Sequence, residues 1–278
     1  IVYRILFGLM MLYSCMWSFL KGDITARFID PSFFFKYYCF EWVGYIGDTG
    51  IYILYLIWLL STIGIIFGAF YRISIWSFFL VFTYLHLLDA TNFINHYYAI
   101  SIFALFLGIL PANCNTSLDA RKNPKLQLAY IPHWNIRVFQ IQIAIIYTFA
   151  AIGKINPDWL CLGMPLKIWL LQNQDIFFFG YFFKFHAVHL IISWGAMIFD
   201  LTIIWFLLFS KTRKPAFILV LVFHISTGLL LNIGLFPLLM ICSTTLFFTP
   251  LDHKRLLLKL GFFKNTLNLE THASHHLL

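Results

Sequence analysis

The chain has 278 residues, of which 61% are hydrophobic and only 11% charged, and its mean hydropathy is +0.84. A water-soluble domain of this size cannot hide so much apolar surface, so a polytopic membrane protein is expected. The formal net charge of +8 does not read as a nucleic-acid surface, because the basic residues lie in loops and the tail rather than along one amphipathic face.

Apolar runs recur from residue 1 to about residue 249 with no long polar block between them. The sequence therefore predicts one all-α membrane helix bundle over 1–250 and a short basic tail over 251–278. The first segment, "IVYRILFGLMMLYSCMWSFL" (1–20), has a single Arg4 near its start and no small-residue cleavage site, so it reads as a retained span rather than a signal peptide. Further spans are expected over about 50–70, 73–92, 97–112, 136–154, 186–209, 215–232 and 234–249, which makes about eight transmembrane helices. Each carries Leu, Ile and Phe all round and none alternates with a period of two, so a helix bundle is favoured over a barrel.

With the N-terminus placed inside, thirteen of the nineteen Lys and Arg residues fall on the inner side. Five fall outside (Lys21, Arg27, Lys36, Lys167, Lys184), and Lys154 remains at a helix end. That bias predicts both termini in the cytoplasm.

Polar residues within spans are costly in hydrocarbon, and here most gather at the outer ends. The third span carries His86 and Asp89, with Asn92, Asn95 and His96 at its exit. The fifth ends at Lys154, Asn156 and Asp158, the sixth begins at His186 and His189, and the seventh finishes near Asn232. If the third helix persists far enough, His86, Asp89 and His96 share one stripe. Gln140, Tyr147 and Lys154 form a second, and His186, His189, Ser193 and Asp200 a third.

Each polar group also has a structural reading. Interhelical hydrogen bonding would account for His86, His224, Gln140 or Gln142, a buried pair for Asp89 or Asp200, and snorkelling to the headgroups for Lys154. A lysine on the outer side runs against the charge bias, which weakens the snorkelling account. The five cysteines show no metal-type spacing, and no hydrolase, zincin or phosphate-loop motif occurs, so no metal site is expected. Cys39 and Cys161 could pair in an oxidising compartment, the alternative being that the cysteines are buried apolar thiols. The tail residues His272, His275 and His276 read as a frayed end.

Three stretches, taken together and in order, resemble the transmembrane region of the vitamin K-dependent gamma-carboxylase family, the HTTM domain. They are "FYRIS" with "LLDATNFINHYY" (70–98), "IPHWNIRVFQIQIAIIYTFAAIGKINPDW" (131–159) and "FHISTGLLLNIGLF" (223–236), and the resemblance covers nearly the whole chain. It implies a membrane enzyme that oxygenates a reduced quinone, vitamin K or a related quinol, to its epoxide. That step is coupled in the family to carboxylation of glutamate with carbon dioxide.

The lysine regarded as the family's base falls on Lys154, and the histidine assigned to the carboxylation half falls on His96. Asn95, Asp89, Tyr147, His224 and Asn232 are expected in or beside the site. Partners implied are membrane lipid, the quinol, oxygen and carbon dioxide, with a peptide acceptor left open. The family's carboxylases carry a large soluble region after the membrane module, whereas this chain ends soon after its last span. Quinol chemistry is therefore the more direct expectation. One rival is a quinone- or lipid-binding membrane protein without turnover. Another is a transporter, for which no inverted repeat or matched pair of broken helices is evident.

Overall fold

The structure is a computed structural model that describes residues 1–128, 130–176, 180–231 and 233–259. All regular structure among these residues is helical: α1 (Val2–Leu20), α2 (Asp48–Phe67), α3 (Tyr71–Leu87), α4 (Asn95–Ile109), α5 (Leu118–Lys122), α6 (Trp134–Gly153), α7 (Pro157–Leu160), α8 (Leu166–Leu171), α9 (His186–Leu208), α10 (Arg213–Leu231), α11 (Phe236–Thr244) and α12 (Pro250–Lys259). Each of the eight expected spans corresponds to one of the longer helices or to α11 with the 3-10 turn that follows it. Five of them (α1, α2, α6, α9 and α10) are long and apolar enough to cross a membrane.

Successive long helices run antiparallel, packing α1 on α2, α2 on α3, α3 on α4, α6 on α9, and α10 on both α9 and α11. The end at which α1, α3, α6 and α10 finish is called the upper end below. One core joins the two halves, with Phe7, Phe78, Phe103, Ile143, Tyr147, Ile203 and Met240 among its members. Outward-facing helical positions are apolar as well: Leu229 is 76% exposed, Ile191 70% and Phe149 67%. Water would penalise such a surface and lipid would not, so these helices are built for hydrocarbon on the outside.

The lower end is closed by backbone carbonyls converging on one arginine. Arg4 is 1% exposed, and its guanidinium donates to Thr116 O at 2.8 Å, Ile66 O at 3.3 Å and Ala112 O at 3.3 Å. It is a buried tie rather than the loop cation that the charge distribution suggested. Gly68 ends α2 with φ +61°, and a Cβ there would lie 2.4 Å from Ser117 Cβ and 2.6 Å from Arg4 Nη1. Only glycine meets both the left-handed turn and the crowding. Asp119 then caps the start of α3, its carboxylate accepting from Phe70 N at 2.9 Å and Tyr71 N at 2.8 Å.

Below the bundle, Thr249 and Asp252 form a reciprocal capping box on α12. Thr249 N donates to Asp252 Oδ2 at 3.1 Å, and Asp252 N donates to Thr249 Oγ1 at 3.2 Å. The Thr249 hydroxyl, which donates to the same carboxylate at 2.7 Å, holds Asp252 below the usual carboxylate range.

One expectation is corrected here. The third helix stops at Leu87, after which Asp89 caps a 3-10 turn over Ala90–Asn92, so His86, Asp89 and His96 do not share a helical stripe. Lys154 does close α6, as expected, but its side chain is turned inward. It meets Asp200, fourteen residues into α9 and so about 21 Å from that helix's first residue at ~1.5 Å per residue. The upper half of α9 rises past Lys154 and carries α7, α8 and the 3-10 turn Phe182–Lys184 packed against it. These form a small lobe with its own cluster of Leu166, Leu170 and Phe183. Cys39 and Cys161 are both exposed and unpaired with each other.

Candidate functional site

Why α6 ends where it does is visible in "GKINPDW". Asn156 accepts from Trp159 N at 2.9 Å through its side-chain oxygen, and Pro157 occupies the first position of α7. A proline whose missing N–H is no loss at N1, preceded by an asparagine cap, starts a new helix and leaves Lys154 as the closing residue of the old one. From there the ammonium folds back under the lobe. Nζ donates to Asp200 Oδ2 at 2.6 Å and to Ala150 O at 3.1 Å, and lies 5.2 Å from the centre of the Trp159 ring. The side chains are 19% and 6% exposed. Trp159 is fixed in turn by donating its indole N–H to Ser193 O at 2.8 Å. Snorkelling is therefore not what holds Lys154, since its charge is matched inside the protein.

Seven residues earlier on α6, Tyr147 Oη lies 2.7 Å from His224 Nε2, and both residues are 1% exposed. The other ring nitrogen of His224 is buried with no partner among the described residues. Aromatic rings extend this pair in both directions. Phe199, the neighbour of Asp200 in sequence, lies 5.9 Å from the Tyr147 ring and stacks on Phe223 at 3.9 Å. On the other side Phe236 stands 5.8 Å from His224 and 6.0 Å from His96. His96 is 7% exposed, and its Nε2 faces the Gly234 turn between α10 and α11.

Five helices thus contribute one seam. It runs from His96 on α4 through Phe236 on α11, His224 on α10 and Tyr147 on α6 to Phe199 and Asp200 on α9, ending at Lys154. Gln140, the lowest member of the α6 stripe, reaches Leu246 O at 3.1 Å. From bottom to top the stripe therefore meets the 3-10 turn after α11, then α10, then α9.

The remaining expected residues lie elsewhere. Asp89 is 4% exposed, and its oxygens accept from Phe35 N at 3.3 Å, Thr91 N at 3.0 Å and Asn92 Nδ2 at 3.4 Å, tying the loop before α2 to the α3–α4 turn. Asn95, the first residue of α4, is exposed where its neighbour His96 is buried. Asn232 lies outside the described residues. Among the described residues no three His, Cys, Asp or Glu side chains group as metal ligands.

Asp200, the last member of the α9 stripe and a candidate for a buried pair in the sequence, is half of such a pair here. A lone carboxylate deep in an apolar run was the available signal. Its partner, 46 residues away in sequence, was not legible.

A family model for the HTTM domain matches residues 1–251. No solved structure matches the chain.

Proposed function

This integral membrane chain belongs to the HTTM domain family, the transmembrane domain of vitamin K-dependent gamma-carboxylase-like proteins, and we propose that it oxygenates a reduced quinone at the Lys154 end of the seam. The observation that carries this reading is the Lys154–Asp200 pair, 2.6 Å apart beneath the lobe. A base must present a neutral amine, and an ammonium deep among apolar helices needs a group to receive its proton. The adjoining carboxylate is that group. Asp200 is thus a positioning residue and proton acceptor for Lys154, while Trp159 shields the amine from water.

The aromatic walls suit a flat quinol ring entering from the lipid, with Phe199 and Tyr147 beside the pair and Phe223 stacked behind Phe199. When bound, the quinol supplies the oxidisable ring, and oxygen and carbon dioxide reach it through apolar packing. His96, at the far end of the seam, fits a role in polarising the acceptor of a carboxylation step, with glutamate as the substrate class. The charge distribution of the loops supports eight spans with both termini in the cytoplasm, which puts the lobe on the outer side.

The test is product formation by the purified protein in lipid nanodiscs supplied with reduced vitamin K and oxygen. Epoxide above the level of a Lys154→Ala control is expected, and equal levels would sink the proposal. One observation favours a second reading, quinone binding without turnover: both partners of the ion pair are already satisfied in the resting protein. That reading expects saturable quinone binding with no Lys154-dependent product.

A further inference from the structure

The loop that joins α1 to α2 at the upper end is composed unlike a segment made for water. Its second half, "PSFFFKYYCFEWVGYI" (31–46), holds eight aromatic residues and two charged ones, Lys36 and Glu41. Both charged groups are engaged by nearby backbone. Lys36 Nζ donates to Val43 O at 2.6 Å and Leu88 O at 3.3 Å, and Glu41 Oε1 accepts from Cys39 N at 3.1 Å. Rings are what the loop displays instead: Tyr38 is 90% exposed, Trp42 75% and Phe33 67%.

This display is held in place. Phe34 stacks on Tyr45 with ring centres 5.3 Å apart, and Phe35 is tied to the α3–α4 turn, its N–H donating to Asp89 Oδ1 at 3.3 Å and its carbonyl accepting from Ala90 N at 2.7 Å. The tip is closed by Phe40 N donating to Tyr37 O and Val43 N to Phe40 O, both at 3.0 Å. Val43 is 1% exposed and belongs to the main core. Next to it, Gly44 O accepts from the hydroxyl of Tyr84, which stands one turn below the end of α3. Helical side chains lean toward the N-terminal end, which for α3 is the lower one, so Gly44 lies beside the last turn of α3 rather than above it. The loop thus descends along the bundle with its rings facing outward.

We propose that residues 37–42 form an interfacial wedge whose partner is the lipid surface, seated in the headgroup layer at the upper end with Tyr38 and Trp42 as its anchors. Tyr and Trp carry an apolar body and a polar edge, the combination that suits the boundary between hydrocarbon and water. The patch also lies at the same end as a surface already turned to lipid. On α1, Tyr13, Trp17 and Leu20 form one exposed stripe that runs to the upper end, where the Lys21 ammonium stands 5.0 Å from the Trp17 ring. A cation closing an apolar stripe beside a ring is the pattern of a helix end at the headgroups. The wedge rests on the membrane placement of the chain and holds whether or not a quinol is turned over. Through Phe35 and Asp89 it is fastened to the turn that leads into α4 and His96.

Cys39 offers a reporter inside the wedge, since among the cysteines only it and Cys161 are exposed. A nitroxide attached at Cys39 in the Cys161→Ser chain, in phosphatidylcholine nanodiscs, collides with oxygen, which concentrates in lipid, and with a nickel chelate, which stays in water. The wedge expects an oxygen rate above, and a nickel rate below, those of the free label in the same buffer. Replacing both anchors, Tyr38→Ser with Trp42→Ser, removes two large apolar side chains and should cut the oxygen-to-nickel ratio at least about threefold. Both side chains are exposed, so the melting temperature of the double variant should stay near that of the parent, which confirms that it folds. A ratio equal to that of the free label puts the loop in water and overturns the proposal. Low rates for both quenchers mean that protein covers the loop and overturn it too, with dipolar broadening between labels identifying a second copy. A ratio that the folded double variant leaves unchanged would likewise remove Tyr38 and Trp42 as anchors and end the proposal.

Discussion

Arg4 and Lys154 are both cations drawn in among apolar helices, and the two halves of the bundle hold them in opposite ways. In the α1–α4 half, Arg4 faces three backbone carbonyls and, among the described residues, no carboxylate within hydrogen-bond reach, so its charge is distributed over groups that cannot take a proton. In the α6–α11 half, Lys154 faces one carboxylate and one carbonyl, and the carboxylate can. The first arrangement fixes where three chain segments meet. The second can change state without moving a helix.

The comparison breaks first at Arg4. Arg4→Leu strips a charged donor from three carbonyls and should cost on the order of 3 kcal/mol or more, seen as loss of monodisperse protein on size exclusion and a fall in melting temperature. Arg4→Lys should rescue little, since one ammonium nitrogen on a shorter stem cannot stand in for the two guanidinium nitrogens that reach these oxygens. Lys154→Arg is the sharper counterpart. It keeps the charge beside Asp200 and should leave the melting temperature nearly unchanged, while epoxide formation falls by about a hundredfold or more. A Lys154→Arg protein that melts like the wild type and still turns over would make Lys154 a second structural cation.

Asp200→Asn should lower turnover with a smaller loss of stability than Arg4→Leu, because Lys154 retains some exposure through which to rehydrate. Its pH–rate profile should shift, which a purely structural residue would not cause. Tyr147→Phe leaves His224 Nε2 buried and unpartnered and should cost about 1–2 kcal/mol in thermal unfolding. The smallest effect belongs to Asp252, outside both halves. Its carboxyl is held below its usual range, so its contribution to α12 is present above the usual carboxylate pKa and fades as the pH falls through the lowered one. Protease cleavage within 250–259 should rise with acidification in the wild type and not in Asp252→Asn.

Hydropathy located the long helices within a few residues, because a run of Leu, Ile and Phe has one stable form in lipid. The largest boundary error, at α3, came from reading through Leu88-Asp89. There a carboxylate captures the Thr91 backbone N–H, offering the chain a turn in place of another helical residue. In the site, the heptad of Gln140, Tyr147 and Lys154 showed in the sequence because a shared face needs only periodicity. What each member touches depends on the pairing of α6 with α9, α10 and α11, which periodicity does not encode.

The lobe over Lys154 packs on Leu166, Leu170 and Phe183, a cluster separate from the main core. Two cores imply two opening equilibria: the described residues of the lobe can come away from α9 at a free energy set by their own few contacts, far below that of melting the bundle. Backbone amides of α7 and α8 should then exchange with deuterium much faster than those of α6 and α9 beneath them. The interior of this protein would be reached by a local fluctuation rather than by global unfolding.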